Sequence, residues 1–335
     1  MKLIIPMAGR GSRLRPHTLT VPKPLVPVGG KPIVHRLVED IAASCPEKID
    51  EIGFVIGDFG PEVERELIEV AAQLGAKGSI HYQTEPLGTA HAVLCAKELL
   101  TGPVTVAFAD TLFKANFKID AADEGILYVS KIDDPSAFGV VKMNEKGEII
   151  DFVEKPQTFV SDLAMIGIYY FKSGEALRTE LDYLIDNNVM KSGEYQLPDA
   201  LRRLTEKGTK FKPGQVDEWL DCGNKAVTVY TNQRVLEFDL AAGKQLISAN
   251  STATNSVIIP PCYIGEGVEL TNSVVGPHVS LGKGTKVANS IIQNTIVQMD
   301  SVISNANLKD SMIGSKALYK GQANDISLGD FSVIE

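Results

Sequence analysis

The densest group of phosphate-binding residue types lies near the start of the chain, in Ala8-Gly9-Arg10-Gly11-Ser12-Arg13-Leu14-Arg15-Pro16. The segment follows Leu3 to Met7, a short apolar run that reads as a buried strand. Two glycines let backbone amides come close to an anion, and such amides can cradle phosphate oxygens. Arg10, Arg13 and Arg15 add positive charge, joined by Lys23 in Pro22-Lys23-Pro24-Leu25-Val26-Pro27-Val28. Arginine grips phosphate through two parallel hydrogen bonds, which lysine cannot form. The loop is not a P-loop, because Gly-Lys-Ser/Thr is missing, and the Gly-x-Gly-x-x-Gly spacing of a dinucleotide fingerprint fails. A mobile basic surface loop is the competing reading. The four prolines from Pro16 to Pro27 stiffen the segment and count against it. For Arg10 and Arg15, simple solvation or ion pairing stays open.

Such a loop needs a scaffold, and the first 240 residues or so supply one. Ile33 to Ala43 reads as a helix, Ile52 to Ile56 as a strand, Pro61 to Leu74 as a helix, and Ile80 to Gln83 as a short strand. His91 to Leu100 reads as a helix, and Val104 to Ala109 as a strand that ends at an acid, Asp110. This alternation predicts an α/β fold, a doubly wound, mostly parallel sheet with helices on both faces. Ligands of such sheets sit at the carboxyl ends of strands, where both the glycine loop and Asp110 fall. From Gly125 to Phe171 the pattern shifts to strands and hairpins. Helical patterns return at Gly174 to Asp186, Leu197 to Glu206 and Lys225 to Leu240.

The C-terminal segment is built on a repeat. Asn255-Ser256-Val257-Ile258 recurs as Asn272-Ser273-Val274-Val275 and as Asn289-Ser290-Ile291-Ile292, 17 residues apart each time. Aliphatic residues at Ile264, Leu270, Leu281 and Val287 fall between them at steps near six. Asp300-Ser301-Val302-Ile303 and Asp310-Ser311-Met312-Ile313 continue the theme at altered spacing. One inward aliphatic per step of about six is what a three-sided parallel β-helix requires. The expected division is a catalytic domain over 1–245 and a β-helix domain over 246–335.

Composition narrows the partners. The net charge is −9 and no Lys/Arg block is present, which counts against nucleic acid and against an anionic membrane surface. No apolar run approaches the ~20 residues of a membrane span, and the N-terminus lacks a signal-peptide pattern. The four cysteines are scattered without a Cys-x-x-Cys pair, so neither a zinc site nor a disulfide framework is expected. Free thiols fit a reducing cytoplasm.

The glycine loop together with Pro22-Lys23-Pro24-Leu25 resembles the family of nucleotidyltransferases that activate sugar 1-phosphates, nearest to the glucose-1-phosphate thymidylyltransferases. Several further segments fit in order: Gln83-Thr84-Glu85-Pro86-Leu87-Gly88-Thr89-Ala90-His91-Ala92, Asp110, Phe138-Gly139-Val140-Val141, Glu154-Lys155-Pro156, Ile166-Gly167-Ile168-Tyr169, Glu194-Tyr195-Gln196-Leu197 and Trp219-Leu220-Asp221-Cys222-Gly223-Asn224. Each motif alone is weak; the ordered set, covering about residues 1–240, is specific. A C-terminal left-handed β-helix also occurs in this family. The sequence departs from the family pattern in carrying Ser12 for a usual Thr, Thr111 after Asp110, and Met165-Ile166-Gly167 for a usual Ala-Gly pair.

The resemblance implies roles. Gly9, Gly11, Ser12 and Arg13 would hold the triphosphate, with Lys23 also on phosphate. Gln83 and Gly88 would read the base. Asp110 and Asp221 would hold Mg²⁺. Gly139, Glu154 and Gly167 would contact the sugar, and Lys155 the phosphate of the sugar 1-phosphate. Duller readings stand beside these: Asp110 as a cap of the following segment, Lys155 as a solvated lysine. The reaction would join a nucleoside triphosphate to a sugar 1-phosphate and release pyrophosphate. An amide at position 83 suits the imide edge of uracil or thymine, which favours UTP or dTTP, and the resemblance implies glucose 1-phosphate as the acceptor. The alternatives are another triphosphate and acceptor, such as GTP with mannose 1-phosphate, or a non-catalytic assembly protein that binds nucleotide sugars. Acetyl transfer by the β-helix is disfavoured, since His278 is its only histidine. The regular faces of a β-helix suit packing between copies, so a homo-oligomer is expected.

Overall fold

The computed structural model describes residues 1–322 apart from Arg10, Pro46, residues 116–119, Ala121 and Ala137. The candidate cation Arg10 and the end, 323–335, of the expected second domain lie outside the described residues. The chain forms two compact units, one of residues 1–26 and 32–223, the other of 27–31 and 224–335. The helix after Gly223 thus groups with the C-terminal unit, and so does a short segment from the N-terminal region.

In the first unit the strands and helices run β1 (Lys2–Pro6), α1 (Ile33–Ser44), β2 (Glu51–Ile56), α2 (Pro61–Gln73), β3 (Lys77–Tyr82), α3 (Thr89–Leu94), β4 (Val104–Ala107) and β5 (Thr111–Lys114). They continue as β6 (Gly125–Lys131), β7 (Gly139–Met143), β8 (Ile149–Glu154), β9 (Leu163–Phe171), α4 (Gly174–Asp186), α5 (Leu197–Glu206), β10 (Phe211–Gln215) and β11 (Glu218–Asp221). Among the described residues nine strands form one sheet in the order β3-β2-β1-β4-β9-β6-β10-β8-β7. The first four are mutually parallel, and β9 then joins β4 antiparallel. The sheet is therefore parallel in its N-terminal part and mixed beyond it, where the sequence turns to hairpins.

Local sequence explains the elements. Leu3, Ile4 and Ile5 of β1 are fully buried, the continuous apolar run of a strand covered on both faces. Along α1, Ile33, Val34, Leu37, Val38 and Ile41 form one buried stripe. Pro61 opens α2, and Glu62 and Glu64 in its first turn complement the helix dipole. The Ser173 hydroxyl caps α4 by accepting from the Ala176 amide at 3.1 Å. Leu197, Ala200, Leu201 and Leu204 give α5 a buried face at helical spacing. The helix expected over 91–100 is shorter. It ends at Leu94 and is followed by a single 3₁₀ turn, Lys97–Leu99, a common way for a helix end to tighten.

The second unit holds helix α6 (Lys225–Ala241) and the left-handed β-helix. The Asn224 side chain caps α6 at the amides of Ala226 and Val227. Among the described residues the β-helix has three parallel sheets of five, four and four strands. Register stacks Leu270, Val287 and Ile303 on one face, Val275 and Ile292 on the second, and Ile264, Leu281 and Val297 on the third. Each is at most 1% exposed, so the columns form the core the repeat predicts. The Asn corners have left-handed backbone: φ is 46° at Asn255, 49° at Asn272, 49° at Asn289 and 53° at Asn305. Their side-chain amides donate one to the next, at 2.8, 3.2 and 3.3 Å. The coil shortens from 17 residues to 16 between Asn289 and Asn305. Asp300 and Asp310, read as continuations of the repeat, are left-handed corners too, but they lead into the other two faces. Asn232 of α6, fully buried, accepts from the Gly29 amide at 2.9 Å and the Ser280 hydroxyl at 2.7 Å.

Candidate functional site

The chain leaves β1 towards β2 and β3 on one side, while β4 lies on the other. That reversal of strand order opens a crevice at the carboxyl ends of β1 and β4, the usual place for a ligand in a doubly wound sheet. The glycine loop follows β1 and Asp110 follows β4. Gly11 has φ 61°, and a Cβ on it would stand 2.7 Å from Lys23 Cβ. Only glycine meets both conditions, and its absence of a side chain lets Lys23 pass beneath the loop. The Thr18 hydroxyl holds the turn by donating to the Gly11 carbonyl at 2.7 Å. Ser12 and Arg13 are exposed on the short 3₁₀ turn that follows, which buried Leu14 anchors.

Lys23 is 7% exposed, and its ammonium lies 3.1 Å from Asp110 Oδ2. Two ladder strands bring the second acid to the same place. β5 begins directly after Asp110 and pairs antiparallel with β11, setting Thr111 opposite Asp221. The Cys222 amide then donates to the Asp110 carbonyl at 3.1 Å, and the Gly223 amide to Asp221 Oδ1 at 2.9 Å. Burial pushes the Asp221 carboxyl above the usual carboxylate range, and the charge of Asp110 adds to the effect. Lys23, the Gly223 amide and Arg13 oppose it. Arg13, Lys23, Asp110 and Asp221 thus share one electrostatic neighbourhood.

Gln83 follows β3, and Gly88 precedes α3. Gly88 has φ 102°, and a Cβ there would lie 2.5 Å from the Tyr195 carbonyl oxygen. Its glycine identity is therefore required by close packing on the backbone of Tyr195. The Gln83 amide nitrogen donates to the Gly88 carbonyl at 3.1 Å.

The segments expected at the sugar meet in the mixed half of the sheet. Glu154 pairs with Gly139 in register, and the Glu154 carboxylate covers Gly139 so closely that a Cβ would meet it at 2.7 Å. Gly167 sits in an irregularity of β9, and its carbonyl accepts from the Phe108 amide at 2.9 Å. Lys155 is exposed and carries an unusual left-handed backbone, φ 44°, a conformation that costs a non-glycine residue energy and clusters at functional sites. The buried hydroxyl of Tyr169 is pushed well above the usual phenol range, by burial first and then by Glu154 and Asp110, so it lies within the field of both acids. The rings of Phe138 and Trp219 meet edge to face at 4.9 Å, joining the start of the Gly139 segment to the strand that carries Asp221.

A cavity of about 390 Å³ gathers Gly9, Gly11, Ser12, Arg13, Lys23, Gln83, Gly88 and Asp110 in its lining. A Cβ on Gly9 would meet nothing within 4 Å, so open space lies beside the loop. Asp221, Gly139, Glu154, Lys155 and Gly167 are outside that lining, although Gly223 and Phe108, which touch two of them, are part of it. Sequence reasoning did not single out Thr89, Phe108 or Glu194, which also line the cavity. Thr89 and Glu194 lay inside quoted motifs. Phe108 carried no signal beyond its place at the end of a strand.

Fold and site together define a Rossmann-like α/β protein with a glycine–arginine loop beside a carboxylate pair. The sequence profile of the nucleotidyl transferase family matches residues 2–237, and the chain belongs to that family. A glucose-1-phosphate thymidylyltransferase of Streptomyces antibioticus is 29% identical over 100% of this chain and 99% of its own. The mannose-1-phosphate guanylyltransferase catalytic subunit beta of Drosophila melanogaster is 37% identical over 54% of this chain and 50% of its own. A solved UDP-glucose pyrophosphorylase, complexed with UDP-glucose, shares the fold with a TM-score of 0.57 at 22% identity, over 71% of this chain and 98% of the other. The names of these relatives carry different sugars and different bases. Among the described residues no helix is long and apolar enough to cross a membrane.

Proposed function

We propose that the protein is a sugar-1-phosphate nucleotidyltransferase that joins dTTP or UTP to glucose 1-phosphate and releases pyrophosphate. The observation that carries this reading is the single cavity in which the glycine–arginine loop, Lys23, Asp110 and Gln83 converge. A phosphate oxygen of the sugar 1-phosphate attacks the α-phosphorus in line. A new P–O bond forms as the bond to the β-phosphate oxygen breaks, and the electron pair leaves with pyrophosphate. The nucleophile is already an anion, so no protein nucleophile or strong base is needed. The obstacle is repulsion between two polyanions, which cations and positioning overcome. The loop amides and Arg13 would hold the triphosphate, Lys23 would contact phosphate, and Lys155 would bind the phosphate of the acceptor. Glu154, Gly139 and Gly167 would contact the sugar.

Asp110 and Asp221 are suited to Mg²⁺. They are all-oxygen donors, and burial first and then the charge of Asp110 push the Asp221 carboxyl above its usual range, a conflict a divalent cation relieves. Bound there, the ion would neutralise phosphate charge as a Lewis acid. The full-length likeness to a thymidylyltransferase supports the pyrimidine choice. The β-helix would serve assembly of a homo-oligomer.

The test is pyrophosphate release with Mg²⁺ and glucose 1-phosphate, offering dTTP, UTP, CTP, ATP and GTP in parallel. Release should need both substrates, be fastest with dTTP or UTP, and vanish in Asp110→Ala. Release only with GTP and mannose 1-phosphate would move the assignment to guanylyl transfer. No release with any pair would reject the enzymatic reading.

A further inference from the structure

Gln83 and His91 stand eight residues apart in sequence, and the fold brings their side chains into contact. The Gln83 amide nitrogen donates to the Gly88 carbonyl at 3.1 Å and also lies 3.1 Å from His91 Nδ1. The Gly88 contact decides which end of the amide is which, because a carbonyl oxygen can only accept. His91 Nδ1 therefore faces an N–H and must itself accept. That makes the ring neutral, with its proton on Nε2. Burial lowers the His91 pKa, with Glu85 opposing, which favours the neutral ring. The Nε2 side faces Cys95 Sγ at 4.0 Å, a weak acceptor.

Both N–H groups of the Gln83 amide are thereby committed within the protein. What Gln83 has left for the cavity it lines is Oε1, an acceptor. We propose that His91 is a positioning residue that holds the Gln83 amide oxygen-outward, so that the cavity selects a pyrimidine with an N–H at ring position 3, the imide of thymine or uracil. Cytosine, of the same size, presents a lone pair at that position and meets oxygen with oxygen. Loss of the His91 acceptor frees one N–H of Gln83 to turn towards the cavity, where cytosine would accept it. The inference rests on the assignment of Gln83 to the base.

The test is kcat/KM for UTP, dTTP and CTP with glucose 1-phosphate, using the full chain and its His91→Leu, His91→Asn and Gln83→Leu variants. His91→Leu should lower the UTP:CTP ratio about tenfold, the worth of one mis-set hydrogen bond, with KM for glucose 1-phosphate unchanged. Asn places an amide oxygen near the position of Nδ1, so His91→Asn should keep most of the ratio. A ratio that survives His91→Leu but falls in Gln83→Leu overturns the positioning role and leaves the base assignment standing. A ratio that survives Gln83→Leu removes the base assignment and the inference with it. Imidazole ¹⁵N NMR of the unaltered protein gives a readout that no variant's folding can obscure. A bare Nδ1 and a protonated Nε2 on His91 are expected, and a protonated Nδ1 overturns the proposal.

Discussion

Both units turn their chains through backbone of positive φ, at glycines and at other residues alike, and two sets of these corners contrast. The first unit does so at Gly11 and Gly88, beside its cavity, and at Lys155. The β-helix does so at a ladder of asparagines, Asn255, Asn272, Asn289 and Asn305, besides glycines such as Gly267, Gly276 and Gly284. Glycine at such a corner leaves room for a neighbour: Lys23 fits beneath Gly11, and the Tyr195 backbone against Gly88. Asparagine fills the room and pairs with its own copy one coil further on. Gly11 and Gly88 both line the cavity of the first unit. The asparagine ladder pairs its amides within the coil. The difference sets corners that line a cavity against corners that pair with one another, even though both have the same sign of φ.

Substitutions can break that contrast or sharpen it. Asp221→Asn should cut kcat/KM about 10³-fold, equivalent to about 4 kcal/mol, with the circular-dichroism melt barely moved. Leu281→Ala should do the reverse, because the buried column loses a side chain that is 0% exposed. About 3 kcal/mol of stability should go, read by denaturant unfolding. Gly11→Ala crosses the line, since its added methyl collides with Lys23 in an unfavourable backbone conformation. Steady-state kinetics should show a fall of about 100-fold through displaced phosphate contacts. Asn272→Ala should lose about 1–2 kcal/mol from the corner conformation and two ladder bonds, with pyrophosphate release at its normal rate. Lys283→Ala removes the exposed pair with Glu266 and should leave the melting temperature unchanged within error. A loss of activity in Asn272→Ala as large as that in Gly11→Ala would erase the distinction drawn between the two kinds of corner.

Local patterns made most of the scaffold legible. The apolar run of β1, the buried stripe of α1 and the spacing of α5 are short-range signals, and the columns of the β-helix follow from a period. The glycine loop was legible for the same reason, since its chemistry is contiguous. What the sequence hid depends on contacts distant in the chain. Nothing local to Thr111 or Leu220 announces that β5 and β11 pair. Nothing in Pro27–Lys31 announces that this segment packs with α6 through Asn232. The bond between His91 and Gln83 was also hidden, although both residues lie in one motif, because it requires the turn that packs Gly88 on Tyr195.

The pairing of β5 with β11 also sets an order of events during synthesis. A ribosome that has released the glycine loop, Lys23 and Asp110 has still made only one of the two acids. The other arrives on the last strand of the first unit, and until it does β5 lacks its hydrogen-bonded neighbour. Long-range pairing of this kind is slow to form. A nascent chain stalled before Glu218 would thus carry the glycine loop and Asp110 without Asp221, so the carboxylate pair is complete only as the unit is finished.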